Sequence, residues 1–288
     1  METLKIAALV QIGMFTIILF FTLLYSILIL FGNRFHQRNN ILTLNICITA
    51  TFTCIYFIIY FILYIFDQNL LFAEHRCHFL LYAYNMSSIG IPFSFVAISV
   101  HRFFSIVYHT KRFFKTKQWI RICISSQWIT ELIISLPFIL RKGQYCTGAS
   151  LMTIYTWIMA VLLPLIVNVT LNFYIFLYVR SSSRRNAASI KRRPIQNNRR
   201  RLTKNRRRDT RLLLHIIIMS FLFIIGWGPV YTISCLRLVV KLHPLIFPLS
   251  IIIGELCLMG IIIDLFIYNH QLRRHLVNKI RLCLKRSL

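Results

Sequence analysis

Seven long apolar runs dominate this chain of 288 residues and limit what it can fold into. A helix that crosses a bilayer needs about 20 mostly apolar residues, because the hydrocarbon core is roughly 30 Å thick. Each run is long enough, so the sequence predicts an all-α membrane protein, a bundle of seven transmembrane helices. The predicted spans cover about residues 7–31, 41–66, 78–107, 119–140, 151–179, 212–238 and 244–269.

The composition excludes several soluble classes of protein. Hydrophobic residues make up 57 % of the chain and charged residues 14 %, against about 45–50 % and 25 % in soluble domains. A nucleic-acid-binding protein would carry its basic residues on a soluble domain, and none is visible, so no nucleic acid partner is expected. The motifs GxSxG and HExxH are absent, which argues against an enzyme. No metal site and no cofactor are predicted.

The basic residues set the predicted orientation. If the chain crosses the membrane seven times, 28 of its 34 lysines and arginines fall on one side and 6 on the other. Lys and Arg are enriched in cytoplasmic loops. We therefore expect a multi-pass plasma-membrane protein with a short extracellular N-terminus at residues 1–6 and a cytoplasmic C-terminus.

Two basic segments are expected to lie at the inner leaflet. Residues 181–208 are rich in Arg, Asn and Ser and are predicted to be an intracellular loop that anionic membrane lipids attract. Residues 270–288 alternate apolar and basic residues at helical spacing, which predicts a short amphipathic helix on the membrane surface. Within this segment, Cys283 is either a palmitoylation site or an inert thiol.

Two of the eight cysteines differ from the others in their position. Cys77 lies at the outer start of span three, and Cys146 lies in the outer loop between spans four and five. Both would face an oxidising compartment, where disulfides form and persist. We therefore predict a disulfide between them, which would hold this loop across the mouth of the bundle.

Span three contains a recognisable pattern. Its polar residues include Tyr84, Asn85 and Ser88, so the helix is expected to be central, where protein rather than lipid surrounds it. Arg102 follows Cys77 by 25 residues, within the segment AISVHRFFSIVYH. This spacing and this segment resemble those of the rhodopsin-like (class A) G-protein-coupled receptors.

Further landmarks occur in the order that this family shows. Each alone is weak, because Trp and Pro are common in membrane helices, but their order and spacing over about 250 residues strengthen the resemblance. They are Trp128 and Pro137 in span four, Pro164 in span five, and Phe223, Trp227 and Pro229 in the segment FIIGWGP of span six.

The chain also departs from the family pattern. His101 stands where the family has an acidic residue before the arginine, and Phe103 stands where it has a tyrosine. Ala50 occupies the place of the family's sodium-binding aspartate, so no sodium site of the usual kind is expected. The segment DLFIY, which ends at Tyr268, replaces the NPxxY motif, and another register leaves that motif without a counterpart. The resemblance therefore implies a divergent member.

The resemblance implies a G-protein contact around Arg102. In the family, an acidic residue at the cytoplasmic start of span six can pair with this arginine and hold the inactive state. Asp209, 20 residues before Pro229, lies at that place; the alternative is that it only caps the helix. The residues implied in coupling and activation are His101, Arg102, Phe103, Tyr108, Asp209 and Tyr268.

The resemblance also implies a ligand cavity at the other end of the bundle. Tyr84 stands where amine-binding members have an aspartate, so a peptide or a non-aminergic small molecule is the expected ligand. Glu255 is either a ligand contact or a structural acid. The activation switch is expected at Pro164, Phe223, Trp227 and Pro229, and the ligand contacts at Tyr84, Asn85, Ser88, Thr156, Trp227, Tyr231 and Glu255.

The function that the resemblance implies is transduction of extracellular ligand binding into activation of a heterotrimeric G protein. Two alternatives stay open. One is a receptor-like seven-helix protein without G-protein coupling, which the altered HRF and DLFIY segments suggest. The other is a small transporter or channel, although the sequence shows no internal repeat of the kind that transporters carry.

Overall fold

The computed structural model describes the backbone of residues 2–31, 38–67, 74–108, 110–140, 150–190 and 196–268. Side chains are described for residues 3–31, 40–67, 78–108, 110–140, 151–181, 214 and 216–267.

Seven helices of this described part are long and apolar enough to cross a membrane. The described part contains no β-strand, so the predicted all-α bundle is confirmed. The membrane portions of these helices are called spans one to seven in chain order. The helices are Glu2–Phe31, Arg38–Phe66, Glu74–Val107, Lys117–Leu140, then Ser150–Trp157 continuing through a π turn at Ile158–Leu162 into Leu163–Ile190, then Gln196–Leu236 and Ile246–Tyr268.

Two helices extend beyond the apolar runs that predicted them. The helix of span five continues to Ile190, and the helix of span six begins at Gln196. Most of the segment expected to be a basic loop is therefore helical backbone, because Arg, Gln and Ala are good helix formers even where no lipid surrounds them. The predicted surface helix at residues 270–288 lies outside the described residues.

The outer surface of the bundle is apolar, and its interior mixes an apolar core with buried polar side chains. Large apolar side chains such as Phe20, Phe173 and Ile225 are exposed on its outer surface, where lipid would contact them. Buried positions hold many Ser, Thr, Asn and Gln side chains, because hydrogen bonds between helices replace those to water. Span three has 61 % of its apolar window buried and span four 28 %, which confirms the central place predicted for span three.

The order of the spans around the bundle follows the chain. Spans one and two, three and four, and six and seven pack against each other, and span one also packs against span seven. Spans two and five both pack against span three. This arrangement closes the bundle and leaves span three in contact with several neighbours at once.

Prolines interrupt the backbone hydrogen bonding of four spans, since proline has no N–H to donate. Pro92, Pro137 and Pro229 lie inside continuous helices. Pro164 comes directly after the π turn at Ile158–Leu162. Wide turns of this type often occur at functional sites, because they let one helix face rotate relative to the next.

Candidate functional site

A cluster of aromatic side chains lies around Trp227. Its ring centroid is 5.6 Å from that of Phe57 in span two and 6.1 Å from that of Tyr231 one turn further along span six. Phe57 also contacts Tyr84 of span three at 6.3 Å and stacks on Phe15 of span one at 5.0 Å. This aromatic cluster therefore joins spans one, two, three and six, although the sequence had indicated neither phenylalanine.

A hydrogen-bonded group of three polar side chains joins spans three, four and five. The Asn85 amide donates from Nδ2 to Ser135 Oγ at 2.9 Å. Thr156 Oγ1 donates to Asn85 Oδ1 at 3.1 Å. All three residues are buried. The structure thus brings together the predicted ligand contacts Asn85 and Thr156, but it uses their polar atoms to hold the helices to each other.

Tyr231 connects span six with span three. Its hydroxyl donates to the Ser88 carbonyl at 3.4 Å, and Ser88 Oγ donates to the Tyr84 carbonyl one turn earlier at 2.8 Å. Tyr84 itself is half-buried. The predicted ligand contacts Tyr84, Ser88 and Tyr231 therefore lie at one level of the bundle, next to Trp227.

Glu255 differs from the other predicted ligand contacts. Its side chain is fully buried, and neither carboxyl oxygen has a hydrogen-bond partner among the described residues. The carboxyl group lies within electrostatic range of the Cys54 thiol in span two. The preceding residue, Gly254, packs against the indole of Trp227. Glu255 therefore lies at the depth of Trp227, on the side of span seven that faces span two.

Phe223 lies one turn below Trp227 on span six and is packed against span three. Its ring centroid is 6.3 Å from that of Phe95, and both side chains are buried. The indole nitrogen Nε1 of Trp227 is buried and has no hydrogen-bond partner among the described residues. The predicted switch residues Phe223 and Trp227 are thus core side chains held by packing alone in the described part.

The end of the bundle that carries Arg102 is organised around the last turns of span three. Arg102 is half-buried, and His101 beside it is buried. One turn earlier, Ser99 Oγ donates to Asn168 Oδ1 of span five at 2.7 Å. Tyr108 is 43 % exposed. Span three is therefore tied to span five next to the predicted coupling residues.

Several predicted residues lie outside the part whose side chains are described. The helix Gln196–Leu236 contains Asp209, and the helix Ile246–Tyr268 ends at Tyr268, but neither side chain is described. The pairing of Arg102 with Asp209 therefore stays a prediction. The same holds for the proposed disulfide between Cys77 and Cys146 and for the modification of Cys283.

Comparison with known protein families decides what this bundle is. A family model described as 7 transmembrane receptor (rhodopsin family) matches residues 22–268. This chain belongs to that receptor family. The match begins within span one and includes the other six spans, and it confirms the resemblance drawn from span three. No curated protein matches the chain.

The receptor contains a second buried polar group that the sequence analysis did not identify. Trp128 Nε1 donates to Asn45 Oδ1 at 3.1 Å, Asn45 Nδ2 donates to Gln127 Oε1 at 2.7 Å, and Gln127 Nε2 donates to Glu131 Oε1 at 2.8 Å. Gln127 Nε2 also donates to Ser94 Oγ at 2.9 Å. We call these five residues the polar network; it joins spans two, three and four.

The direction of this polar network is fixed by one residue. An indole nitrogen can only donate, so Trp128 bonds to the amide oxygen of Asn45. The amide nitrogen of Asn45 then donates to the amide oxygen of Gln127. Gln127 must then turn its own nitrogen towards Glu131. Gln127 Nε2 therefore donates to Glu131 Oε1, while Oε2 has no hydrogen-bond partner among the described residues. Among the described residues, no group of three or more His, Cys, Asp and Glu could hold a metal ion.

A sequence signal for the polar network existed. Gln127 and Glu131 are four residues apart in the apolar run of span four, so they lie on one face of the helix. Asn45 and Thr49 have the same spacing in span two, and Thr49 Oγ1 lies 2.9 Å from Ser94 Oγ. The spacing shows that each pair shares a face, but it cannot show that the faces of the receptor's different spans meet.

Proposed function

We propose that this receptor spans the plasma membrane with its N-terminus outside and couples an extracellular ligand to a heterotrimeric G protein. Membership of the rhodopsin family supports a receptor of this class. The division of basic residues, 28 against 6, supports the orientation. In this orientation the Tyr84 end faces the outside and the Arg102 end faces the cytoplasm.

The observation that carries the proposal is the set of contacts made by span six. Near the Tyr84 end, Tyr231 bonds to span three and Trp227 packs on span two. One turn earlier on the same helix, towards the Arg102 end, Phe223 packs on Phe95 of span three. A single helix therefore links the proposed ligand cavity with the core above the Arg102 end, and Pro229 supplies a hinge between them.

Activation would change the contacts of span six. The bond from Tyr231 to the Ser88 carbonyl is long, at 3.4 Å, and the indole nitrogen of Trp227 has no partner among the described residues. A ligand that contacts these side chains and favours a displaced span six shifts the equilibrium between two states. The displacement would open a cleft beside Arg102 for the C-terminal helix of a G-protein α subunit, a helix-in-groove mode of binding.

The proposed ligand is a peptide or a non-aminergic small molecule. Tyr84, Ser88 and Tyr231 supply aromatic surface and a few polar atoms. Span three has Tyr84 where amine-binding members have an aspartate, and the carboxyl group at this depth is that of Glu255 in span seven, which is fully buried. Asn85 and Thr156 are buried and bond to each other, so we assign them to the rigid base of the cavity. The disulfide between Cys77 and Cys146 would fix the loop above it.

Guanine-nucleotide exchange on a panel of heterotrimeric G proteins tests the proposal. Membranes would carry the wild-type receptor, Arg102→Ala or Arg237→Ala at matched surface levels. Arg237 is the matched control, because it is an arginine at the other end of the bundle, 5.2 Å over the Phe247 ring. We expect exchange that Arg102→Ala abolishes and Arg237→Ala leaves unchanged.

The second candidate function is a receptor-like protein without coupling, which the histidine at residue 101 and the phenylalanine at residue 103 favour. Exchange that is equal in wild type and Arg102→Ala, across a broad peptide and small-molecule panel, would support this candidate and contradict coupling. Restoring the family residues with His101→Asp and Phe103→Tyr then becomes informative. A gain of exchange in that variant would show that these two substitutions had removed coupling.

A further inference from the structure

Pro92 lies in the middle of span three, inside the continuous helix Glu74–Val107. In an α-helix, each carbonyl accepts the N–H of the residue four positions later. A proline has no N–H, so the Ser88 carbonyl, four residues before Pro92, lacks the donor that its own helix would normally supply. Ser88 is 2 % exposed. The interior of the bundle therefore contains a backbone acceptor that needs a partner from another part of the receptor.

The other two prolines inside continuous helices of the described part release carbonyls at the outer surface. Pro137 leaves the carbonyl of Ile133 without its helical donor, and Pro229 leaves that of Ile225. The side chains of Ile133 and Ile225 are 59 % and 60 % exposed, so both positions face outward from the bundle. Of these three prolines, only Pro92 releases its acceptor at a buried position.

Span six supplies the present donor for the Ser88 carbonyl. The Tyr231 hydroxyl donates to it at 3.4 Å, whereas an ordinary O–H···O bond is about 2.7–2.8 Å long. The adjacent carbonyl of Ser87 keeps the N–H of Ile91 in its own helix and also accepts Thr53 Oγ1 of span two at 3.1 Å. The Ser88 carbonyl is therefore the less well satisfied of the two acceptors. A better placed donor would gain a stronger bond than Tyr231 makes.

Aromatic rings surround this acceptor. The ring centroid of Tyr231 is 6.1 Å from that of Trp227, and the Tyr84 ring, one turn before Ser88, is 6.3 Å from that of Phe57. The Ser88 hydroxyl donates to the Tyr84 carbonyl at 2.8 Å, so it does not serve its own carbonyl. Such surroundings suit a flat ring with a neutral donor, since aromatic faces pack on the ring while its donor bonds to the carbonyl.

We propose that the Ser88 carbonyl is a ligand-binding acceptor, created by Pro92, which recognises a ligand that presents an uncharged phenol ring. The phenol side chain of Tyr231 occupies the acceptor in this structure, and the ligand's hydroxyl takes its place. Tyr231 then no longer ties span six to span three. The inference deepens the proposed function, and it rests on that function in placing the extracellular ligand at this level.

The test uses the purified full-length receptor in detergent, with Tyr231→Ala to remove the competing phenol. The probe is p-cresol, which reproduces the tyrosine ring and its hydroxyl. The matched comparison is p-xylene, which has a methyl group in place of that hydroxyl. The rise in melting temperature with ligand concentration gives the affinity of each. Affinities are expressed per concentration in the detergent phase, so that the different partition of the two compounds cancels.

We expect Tyr231→Ala to bind p-cresol about two- to tenfold more tightly than p-xylene, the usual net effect of one hydrogen bond. Adding Pro92→Ala should remove this preference, because the N–H of residue 92 then donates to the Ser88 carbonyl. Adding Pro137→Ala instead should leave the preference unchanged, since the carbonyl of Ile133 lies at the outer surface. Equal affinities for the two compounds in Tyr231→Ala, or a preference that survives Pro92→Ala, would overturn the proposal.

Two further variants keep the test decisive if the variant with Pro92→Ala does not purify. Each change is added to Tyr231→Ala. Ser88→Ala removes the hydroxyl and keeps the carbonyl, so the preference for p-cresol should persist. Glu255→Met removes the buried carboxyl group at this depth, and the preference should persist there too. Loss of the preference in either variant would assign the p-cresol hydroxyl to that side chain and overturn the proposal.

The result is independent of G-protein coupling, because binding is measured without a G protein. A failed preference for p-cresol would remove the Ser88 acceptor and leave the coupling proposal as it stands. Nucleotide exchange that does not depend on Arg102 would contradict coupling and leave the acceptor as it stands.

Discussion

Gly226 of span six and Cys257 of span seven occupy adjoining positions, with no space between the two helices for another side chain. A Cβ at residue 226 would overlap the Cβ of Cys257 and lie 2.9 Å from its Sγ. The next residue on span six is Trp227, and its indole packs on Gly254, where a Cβ would lie 3.3 Å from the ring. Two glycines, one on each helix, therefore allow spans six and seven to approach closely beside the proposed switch.

Gly226→Ala should destabilise the receptor by about 1–3 kcal/mol, because an added methyl group in a packed core forces the helices apart. Thermal unfolding of purified protein in detergent would measure the effect. Gly260→Ala in span seven is the control, since a Cβ there meets no atom within 4 Å. Combining Gly226→Ala with Cys257→Gly should restore part of the lost stability; no recovery in the double variant would mean that this contact is not the cause.

Gln127→Leu should cost about 1–2 kcal/mol of stability, because it removes one hydrogen bond each from Asn45 and Ser94 and leaves the buried Glu131 carboxyl group without its recorded partner. Ser126→Ala, at the neighbouring exposed position, is the control in the same thermal measurement. The double variant Gln127→Leu, Glu131→Leu should lose less stability than the sum of the two single losses, since an apolar pair needs no hydrogen bond. An additive loss would show that the two residues do not act as partners.

Thr156→Val keeps the shape of the side chain and removes its donor to Asn85 Oδ1. We expect a loss of about 0.5–1.5 kcal/mol, the usual net value of one intramolecular hydrogen bond. The melting temperature in detergent would report it. Thr170→Val, at an exposed position of the same span, should leave that temperature unchanged. Equal melting temperatures for the two variants would remove Thr156 from the proposed base of the cavity.

Asp209→Ala should raise basal nucleotide exchange if this acid pairs with Arg102 in the inactive state. A partly exposed ion pair contributes about 0–1 kcal/mol, so the increase should be at most about fivefold. Exchange would be compared at equal surface expression with Asp67→Ala, an acid beyond the end of span two. Basal exchange that does not rise above the control would leave Asp209 with a helix-capping role only.

Some features of this receptor follow from short stretches of sequence. The length of an apolar run fixes whether a helix can cross a bilayer, so the seven spans were predictable from residue type alone. The polarity of Tyr84, Asn85 and Ser88 likewise predicted the central position of span three. The prolines predicted where helix hydrogen bonds are interrupted, but nothing in the sequence indicated the π turn before Pro164.

The contacts between spans were not predictable in the same way. Phe57 is one of 24 phenylalanines, and its place between Phe15 and Trp227 depends on how three helices are rotated about their axes. The partners of Asn85 show the same limit, since the sequence grouped Asn85 with Thr156 but gave no sign of Ser135.

The sequence by itself determined that this protein is a seven-helix membrane receptor, because hydrophobic length, loop charge and the spacing around Arg102 are properties of single segments. Only the tertiary structure decided which polar side-chain atoms of different helices form hydrogen bonds with each other. The direction of the polar network, from Trp128 through Asn45 and Gln127 to Glu131, depends on three spans meeting at one depth. The rotation and depth of a helix are set by packing against its neighbours, and no single segment encodes them.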